Sequence, residues 1–242
     1  MTISTSILFL LVFRTLFIND PQPAPARDIE LVIDHAFGPE HLTLEKGYTV
    51  GNQVVTFTRL KYYVSNVTLR HADGTTWRDT EKYHLVEVDE ETAAVATIKL
   101  KDVPLKKLAE LKFSIGVDSV DNHSGDQEGV LNPDYGMFWM WETGYVFFKV
   151  EGYRASGEHD RGAFVYHVGR DNCFRTARLE IPGDVTAQAS TLRVAADVSG
   201  IFKGLVGQQL RESKANASIS VMGGPKALEA ADNFVKIFSI AR

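Results

Sequence analysis

The stretch GMFWMWETGYVFFKVEG, residues 136–152, points most strongly to one class of fold. Aromatic and β-branched residues suit a pleated, half-buried surface, so the stretch predicts a strand at 139–151. Trp139 and Trp141 are two positions apart and would project from the same face of that strand. Their indoles either pack in a core or line a functional site together with the nearby thioethers of Met137 and Met140.

Similar short alternating runs recur on both sides of this stretch, separated by turn residues. They predict further strands at 28–35, 53–58, 60–70, 82–88, 95–100, 111–116, 162–168, 176–181 and 190–196. Helical patterns are few: one or two turns within 103–111, a short segment at 202–210, and a C-terminal helix at 224–238. Many short strands with few helices predict a mainly β fold, either an antiparallel β-sandwich or a partly closed barrel, with long loops and a short C-terminal helix.

The first 26 residues have the pattern of a signal or targeting segment. Their apolar run suits a signal sequence but is short for a membrane span, and Arg14 interrupts it. The tripeptide Ala24-Pro25-Ala26 resembles a small-x-small cleavage site, although no Lys or Arg precedes the apolar run. We therefore expect export to the periplasm, the extracellular space or the cell surface. Residues 27–242 are expected to form a single β domain without a transmembrane span.

Composition excludes several functional classes. The chain has 242 residues and a net charge of −5, and it lacks the Lys/Arg clusters typical of nucleic-acid binding. Cys173 is the only cysteine, which excludes an intrachain disulfide and a Cys-rich zinc or iron–sulfur site. No serine has a G-x-S-x-G setting, and no carboxylate pair is spaced for acid–base chemistry. We therefore expect a protein that is not an enzyme.

Three of the seven histidines occupy strand positions that alternate with apolar residues. His35, His84 and His167 are each predicted to face an apolar side of their strand. The other four, His41, His71, His123 and His159, have polar, turn-like surroundings typical of the surface. A buried imidazole needs a partner for each nitrogen, which is either a protein group or a metal. If the three rings converge, they suit copper, zinc or iron, and thioethers from Met137 and Met140 would favour Cu(I).

A long loop precedes the aromatic strand and is rich in hard oxygen donors. Four of its side chains are candidate calcium ligands: Asp118, Asp121, Asn122 and Asp126. Their spacing does not match an EF-hand, and a solvated loop explains the same residues. With Trp139, Trp141 and Tyr145 as an exposed stacking platform, this loop defines an alternative function. The chain would then be a cell-surface carbohydrate- or protein-binding sandwich with a calcium-stabilised loop.

Several short motifs occur in an order and spacing that resemble one known family. The blocks are LKYYVSNV (60–67), YHLV (83–86), FSIGVD (113–118), LNP (131–133) with Asn122 and Gly125, GMFWMW (136–141), GY (144–145), EG (151–152), HVG (167–169) and ADNF (231–234). Together they cover nearly the whole chain after the first 26 residues. On these motifs the chain resembles the MbnP-like family of exported copper-binding proteins.

The resemblance implies a β-rich exported domain that binds copper through histidines, here His35, His84 and His167. In some members a dihaem oxidase partner converts a tryptophan near the copper site to kynurenine. In the best-described arrangement among these relatives, the modified tryptophan stands two residues before a ligand histidine. None of Trp77, Trp139 and Trp141 has a histidine at that position. The resemblance therefore implies copper binding. It does not imply a modified tryptophan, because the motif that accompanies one is absent from this sequence.

Overall fold

A computed structural model describes residues 25–89, 94–125, 127–140, 142–157, 160–183, 190–214 and 216–241. The strands, in chain order, are β1 (Ala26–Phe37), β2 (Glu40–His41), β3 (Gly47–Val50), β4 (Gln53–His71), β5 (Thr76–Arg78), β6 (Tyr83–Val88), β7 (Val95–Pro104), β8 (Leu108–Ile115), β9 (Phe138–Met140), β10 (Gly144–Gly157), β11 (Asp160–Gly169), β12 (Arg175–Glu180), β13 (Thr191–Asp197), β14 (Ile219–Val221) and β15 (Phe238–Ile240). The α-helices are α1 (Ser119–Asn122), α2 (Gly204–Glu212) and α3 (Gly224–Val235).

These strands form two sheets, which confirms the predicted mainly β fold. The first sheet has the order β15-β13-β1-β2, and β7 pairs with the other edge of β1. The second has the order β12-β8-β4-β10-β11-β14, with β3, β5 and β6 along β4 and β9 beside β10. The sheets are curled into a half-barrel. Within the described part of the chain, no helix has the length and apolar character needed to cross a membrane.

Strand β4 organises the second sheet. It is 19 residues long and replaces the two separate strands expected at 53–58 and 60–70. Its partner on one side is β10 up to Tyr62 and β8 from Val64 onward. The register with β8 shifts between Ser65 and Thr68, where Asn66 adopts a left-handed φ of 53°. A bulge of this kind bends a strand and increases its twist, so one continuous strand serves two diverging neighbours.

Three sequence-based expectations differ from the structure. The helical turns expected within 103–111 are strand, because Leu108 and Leu111 pack in the core while their backbone pairs with β4. The strand expected at 139–151 is divided into β9 and β10 by a turn ending at Gly144, whose φ is 70°. The sheets are also not purely antiparallel, since β13 runs parallel to β1 and β14 runs parallel to β11.

Aromatic rings of β4, β10 and α3 form the centre of the core. Phe234 of α3 stacks on Phe148 at 4.2 Å between ring centroids and meets the edge of Tyr62 at 5.2 Å. The same motif attaches α3 through its polar residues: Asp232 pairs with Arg175, and the Asn233 amide donates to backbone carbonyls near residues 201–203. The ADNF motif singled out in the sequence is thus explained by packing.

His35 joins the two sheets across this core. Its ring is fully buried and lies at hydrogen-bond distance from two groups, 2.8 Å from the Tyr62 hydroxyl through Nε2 and 2.6 Å from the Ala94 carbonyl oxygen through Nδ1. Burial lowers the pKa of His35 to about 4, against an ordinary value of 6.5. The folded protein therefore holds this ring neutral over a pH range in which the unfolded chain protonates it.

We expect His35 to make folding sensitive to acid. The pKa of His35 is lower in the folded protein than in the unfolded chain. The free energy of unfolding is therefore unaffected by this histidine above pH 6.5 and decreases as the pH falls towards 4. The decrease approaches about 3 kcal/mol. Urea unfolding at pH 7.5 and 4.5 should show a smaller loss in a His35→Gln variant than in the parent, while the exposed-site control His41→Gln should follow the parent. Equal losses in all three proteins would contradict this role.

Arg154 anchors α2 and the loop after it to the second sheet. Its fully buried guanidinium donates to Gln53 Oε1 at 3.0 Å and to the carbonyl oxygens of Leu210, Ser213, Lys214 and Ala217. No carboxylate within the described ranges forms an ion pair with it. The carbonyl dipoles at the C-terminal end of a helix favour a cation there, so they offset part of the cost of burying this charge.

Arg154→Met should destabilise the fold by about 3 kcal/mol, because it leaves several buried carbonyl oxygens without a donor. The thioether chain fills most of the same space, so the loss reports on hydrogen bonds more than on packing. Arg178→Met, at an exposed position of β12, should change the free energy of unfolding by less than about 0.5 kcal/mol. Chemical denaturation of both variants at pH 7 tests this. If both change the free energy of unfolding by a similar small amount, Arg154 does not anchor α2 to the sheet.

Candidate functional site

The three histidines singled out by the sequence lie in three different environments. His35, on β1, already has a protein group beside each ring nitrogen, as described above. This arrangement matches the alternative of a hydrogen-bonded core histidine. A metal bound at His35 would have to displace either Tyr62 or the carbonyl of Ala94.

His84 lies on β6 and faces the interior, as alternation predicted. It lies opposite Val64 of β4. The next pair on the same face, two residues along each strand, is the buried Tyr62 and Val86. Its Nε2 is 2.7 Å from Oδ2 of Asp79, a carboxylate with a side chain only 2% exposed. Nδ1 of His84 makes no hydrogen bond to any residue that the structure describes. The pair therefore presents one free imidazole nitrogen beside a nearly buried negative charge.

His167 faces the opposite side of the same sheet, and the prediction that it faces an apolar side is wrong. On β11 the core positions are Phe164, Tyr166 and Val168, whereas His167 pairs with Lys149 on the outer face. Its Nε2 lies 2.6 Å from Oε1 of Glu151. Burial lowers the pKa of His167, and the hydrogen bond to the Glu151 carboxylate offsets part of that shift.

The imidazoles of His84 and His167 therefore project from opposite faces of one sheet, and His35 belongs to the other sheet. The convergence of all three rings that the sequence analysis considered does not occur. Among the described residues, no three His, Cys, Asp or Glu side chains are grouped so that they could hold a metal ion. His71 is a further difference, because it was expected at the surface and is buried.

The thioethers and indoles near residue 140 are divided between the interior and the surface. Met137 is fully buried, whereas Met140 is 57% exposed. Trp139 is half-buried and lies against Gly169, where an added Cβ would be 3.0 Å from the indole. Trp141 is outside the described residues. The two methionines thus do not present their sulfur atoms to a common site.

The oxygen atoms proposed to bind calcium have protein partners. The ammonium of Lys82 lies 3.1 Å from Asp118 and 2.6 Å from Asp121, which also accepts from the Tyr83 hydroxyl. Asn122 is fully buried and links the amide of Tyr145 to Asp171. Asp126 is outside the described residues. The ammonium of Lys82 therefore already neutralises the two carboxylates, Asp118 and Asp121, that were expected to bind calcium.

The stacking platform of the alternative function is not formed by Tyr145. This ring is fully buried and packs against Tyr63 and Phe138, at centroid distances of 6.0 and 4.9 Å. The long loop covers it: the Tyr145 hydroxyl donates to the carbonyl of Gly125, and Tyr63 donates to that of Val130. The loop is thus a packed cover over the part of the outer face around Tyr63 and Tyr145.

Sequence reasoning missed the carboxylates that hold the two half-buried imidazoles. Asp79 precedes β6 by a few residues and has no motif around it. Glu151 was detectable in principle, because β10 and β11 form a hairpin that brings residues 151 and 167 close together. A register worked out from the predicted hairpin would place this pair on the same face as near neighbours, whereas the choice of face depends on packing.

Comparison with known proteins agrees with the fold. A search of curated proteins returns no match. Among solved structures, MbnP from Methylosinus trichosporium is similar, with a TM-score of 0.55 and 14% sequence identity over 83% of this chain and 82% of that chain. The family profile of MbnP matches residues 26–222, which is most of the sequence. The chain therefore belongs to the MbnP family.

Proposed function

We propose that this chain is an exported protein that binds copper and takes part in copper handling without catalytic turnover. Membership of the MbnP family supports the proposal, because the family resemblance implies export to the periplasm or cell surface and a copper ion held by histidines. In this proposal copper is the cargo of the protein. A dihaem oxidase-type partner belongs to the same proposal and rests on the resemblance alone.

The observation that carries the proposal is the carboxylate–imidazole pair of Asp79 and His84. A histidine that binds a metal through one ring nitrogen usually donates a hydrogen bond from the other to a carboxylate, which fixes the ring and raises its basicity. His84 has this arrangement, with Nε2 on Asp79 and Nδ1 without a partner in the described ranges. Imidazole nitrogen is a suitable ligand for copper.

Local charge favours His84 over His167 as a ligand for a bare cation. Asp79 forms no ion pair with a lysine or arginine of the described residues, so its negative charge remains available to a metal on His84. Glu151, the partner of His167, is already paired with Arg59 at 3.2 Å. The ammonium of Lys149 and the guanidinium of Arg59 both lower the pKa of His167, after burial, and would also repel a copper ion.

A site built on one imidazole holds its ion loosely. His84 with Asp79 supplies part of a copper coordination shell, and the remaining positions would be taken by water or by another molecule. Such a site suits uptake and release of copper better than storage in a closed cage. His35 has no place in it, since both its nitrogens are already engaged within the core.

We expect His84→Ala to weaken Cu(I) binding at least about tenfold, because it removes the free ring nitrogen. Titration against a competing chelator measures the affinity of the parent, His84→Ala, His167→Ala and the double variant. His41→Ala, at an exposed site, is the matched control and should bind like the parent. His84→Ala or the double variant binding copper as tightly as the parent would refute His84 as the ligand. Circular dichroism verifies that each variant is folded.

A further inference from the structure

A row of charged residues crosses the outer face of the second sheet. Neighbouring strands place four side chains side by side, in the order Glu87, Lys61, Lys149 and His167. Directly opposite residues of antiparallel strands have Cα atoms about 4.5–5.5 Å apart, so adjacent members of the row are close neighbours. Arg59 lies on the same face of β4, two residues before Lys61, and forms an ion pair with Glu151.

The carboxylates of this face are already engaged. Glu87 binds Lys61 at 2.8 Å, and Glu151 binds both Arg59 and His167. Lys149 forms no ion pair with a carboxylate of the described chain; its ammonium donates to the backbone carbonyl of Gly136. In the row together with Arg59 and Glu151, the three cations Arg59, Lys61 and Lys149 therefore outnumber the two carboxylates, and Lys149 is the cation without a carboxylate partner.

Lys149 occupies a costly position for an ammonium group. Burial lowers its pKa most; the carboxylates of Glu151 and Glu87 oppose this shift, and the cations Arg59 and Lys61 add to it. Like charges at directly opposite strand positions are destabilising, and Lys61 is directly opposite Lys149. Features that work against stability are more frequent at functional sites than elsewhere. Lys61 also donates to the carbonyl of Tyr135 at 3.2 Å. Because an ammonium has three N–H groups, each of these lysines still keeps at least one for a ligand.

We propose that Lys149, Lys61 and Arg59 form a binding site for a small oxyanion, the carboxylate or phosphate group of a soluble ligand. The oxyanion accepts hydrogen bonds from the two ammonium groups and from the guanidinium, and it supplies the negative charge that this face lacks. Charge-assisted hydrogen bonds of this type are about twice as strong as neutral ones. The site is separate from His84, which faces the other side of the sheet.

The test uses the metal-free full chain with EDTA present, so that its result does not depend on copper. Inorganic phosphate and acetate are titrated separately at constant ionic strength, with sodium chloride as the balancing salt, and amide NMR shifts are followed. We expect saturable shifts at Lys61 and Lys149 with at least one oxyanion. Lys149→Met should weaken that binding at least about tenfold. Shifts that do not saturate with either oxyanion would overturn the proposal.

Two further variants separate a binding site from a structural role. Arg59→Gln leaves the bond between Lys149 and Gly136 intact, and it should weaken binding severalfold even if Lys149→Met disturbs the fold. Lys99→Met, at a 64% exposed lysine on the first sheet, is the matched control and should bind like the parent. If the control loses as much affinity as Lys149→Met, or if Arg59→Gln has no effect, the assignment to this face is wrong.

Discussion

The continuous pairing of β4 along its 19 residues is the constraint on which the rest of the structure depends. This strand provides the edge for β10 and β8 on one side and for β3, β6 and β5 on the other. A shorter strand would leave those neighbours without a common partner, and their backbone groups would need other hydrogen bonds. The irregularity near Asn66 lets β10 and β8 diverge without breaking the strand.

The position of Tyr62 on β4 connects this sheet to the rest of the core. Its ring packs against Phe234 of α3, and its hydroxyl lies within hydrogen-bond distance of His35 on the first sheet. A tyrosine is suited to this position because it combines a large apolar ring with a polar group that needs a buried partner. The same contact explains why His35 serves the core and is not available to a metal.

The outer face of the second sheet has a different character from the core face. Its aromatic part, around Tyr63 and Tyr145, is covered by the long loop, whereas its charged part carries Lys61, Lys149 and His167. The covered part accounts for Phe138 and Tyr145 of the aromatic stretch, whereas Phe148 of the same stretch packs on the core face. The charged part carries the proposed oxyanion site, whereas His84 and Asp79 on the core side carry the proposed copper ligand, so the two proposals concern opposite faces of one sheet.

Local pattern was sufficient for the class of fold, most of the strands and the C-terminal helix, because alternation of apolar and polar residues is a property of neighbouring positions. It also placed His35 and His84 on apolar faces. It failed for His167, since both faces of β11 carry apolar residues and only packing selects the face occupied by Phe164 and Tyr166. The partners Asp79, Glu151 and Tyr62 depend on contacts between residues distant in sequence, and such contacts exist only once the sheets have assembled.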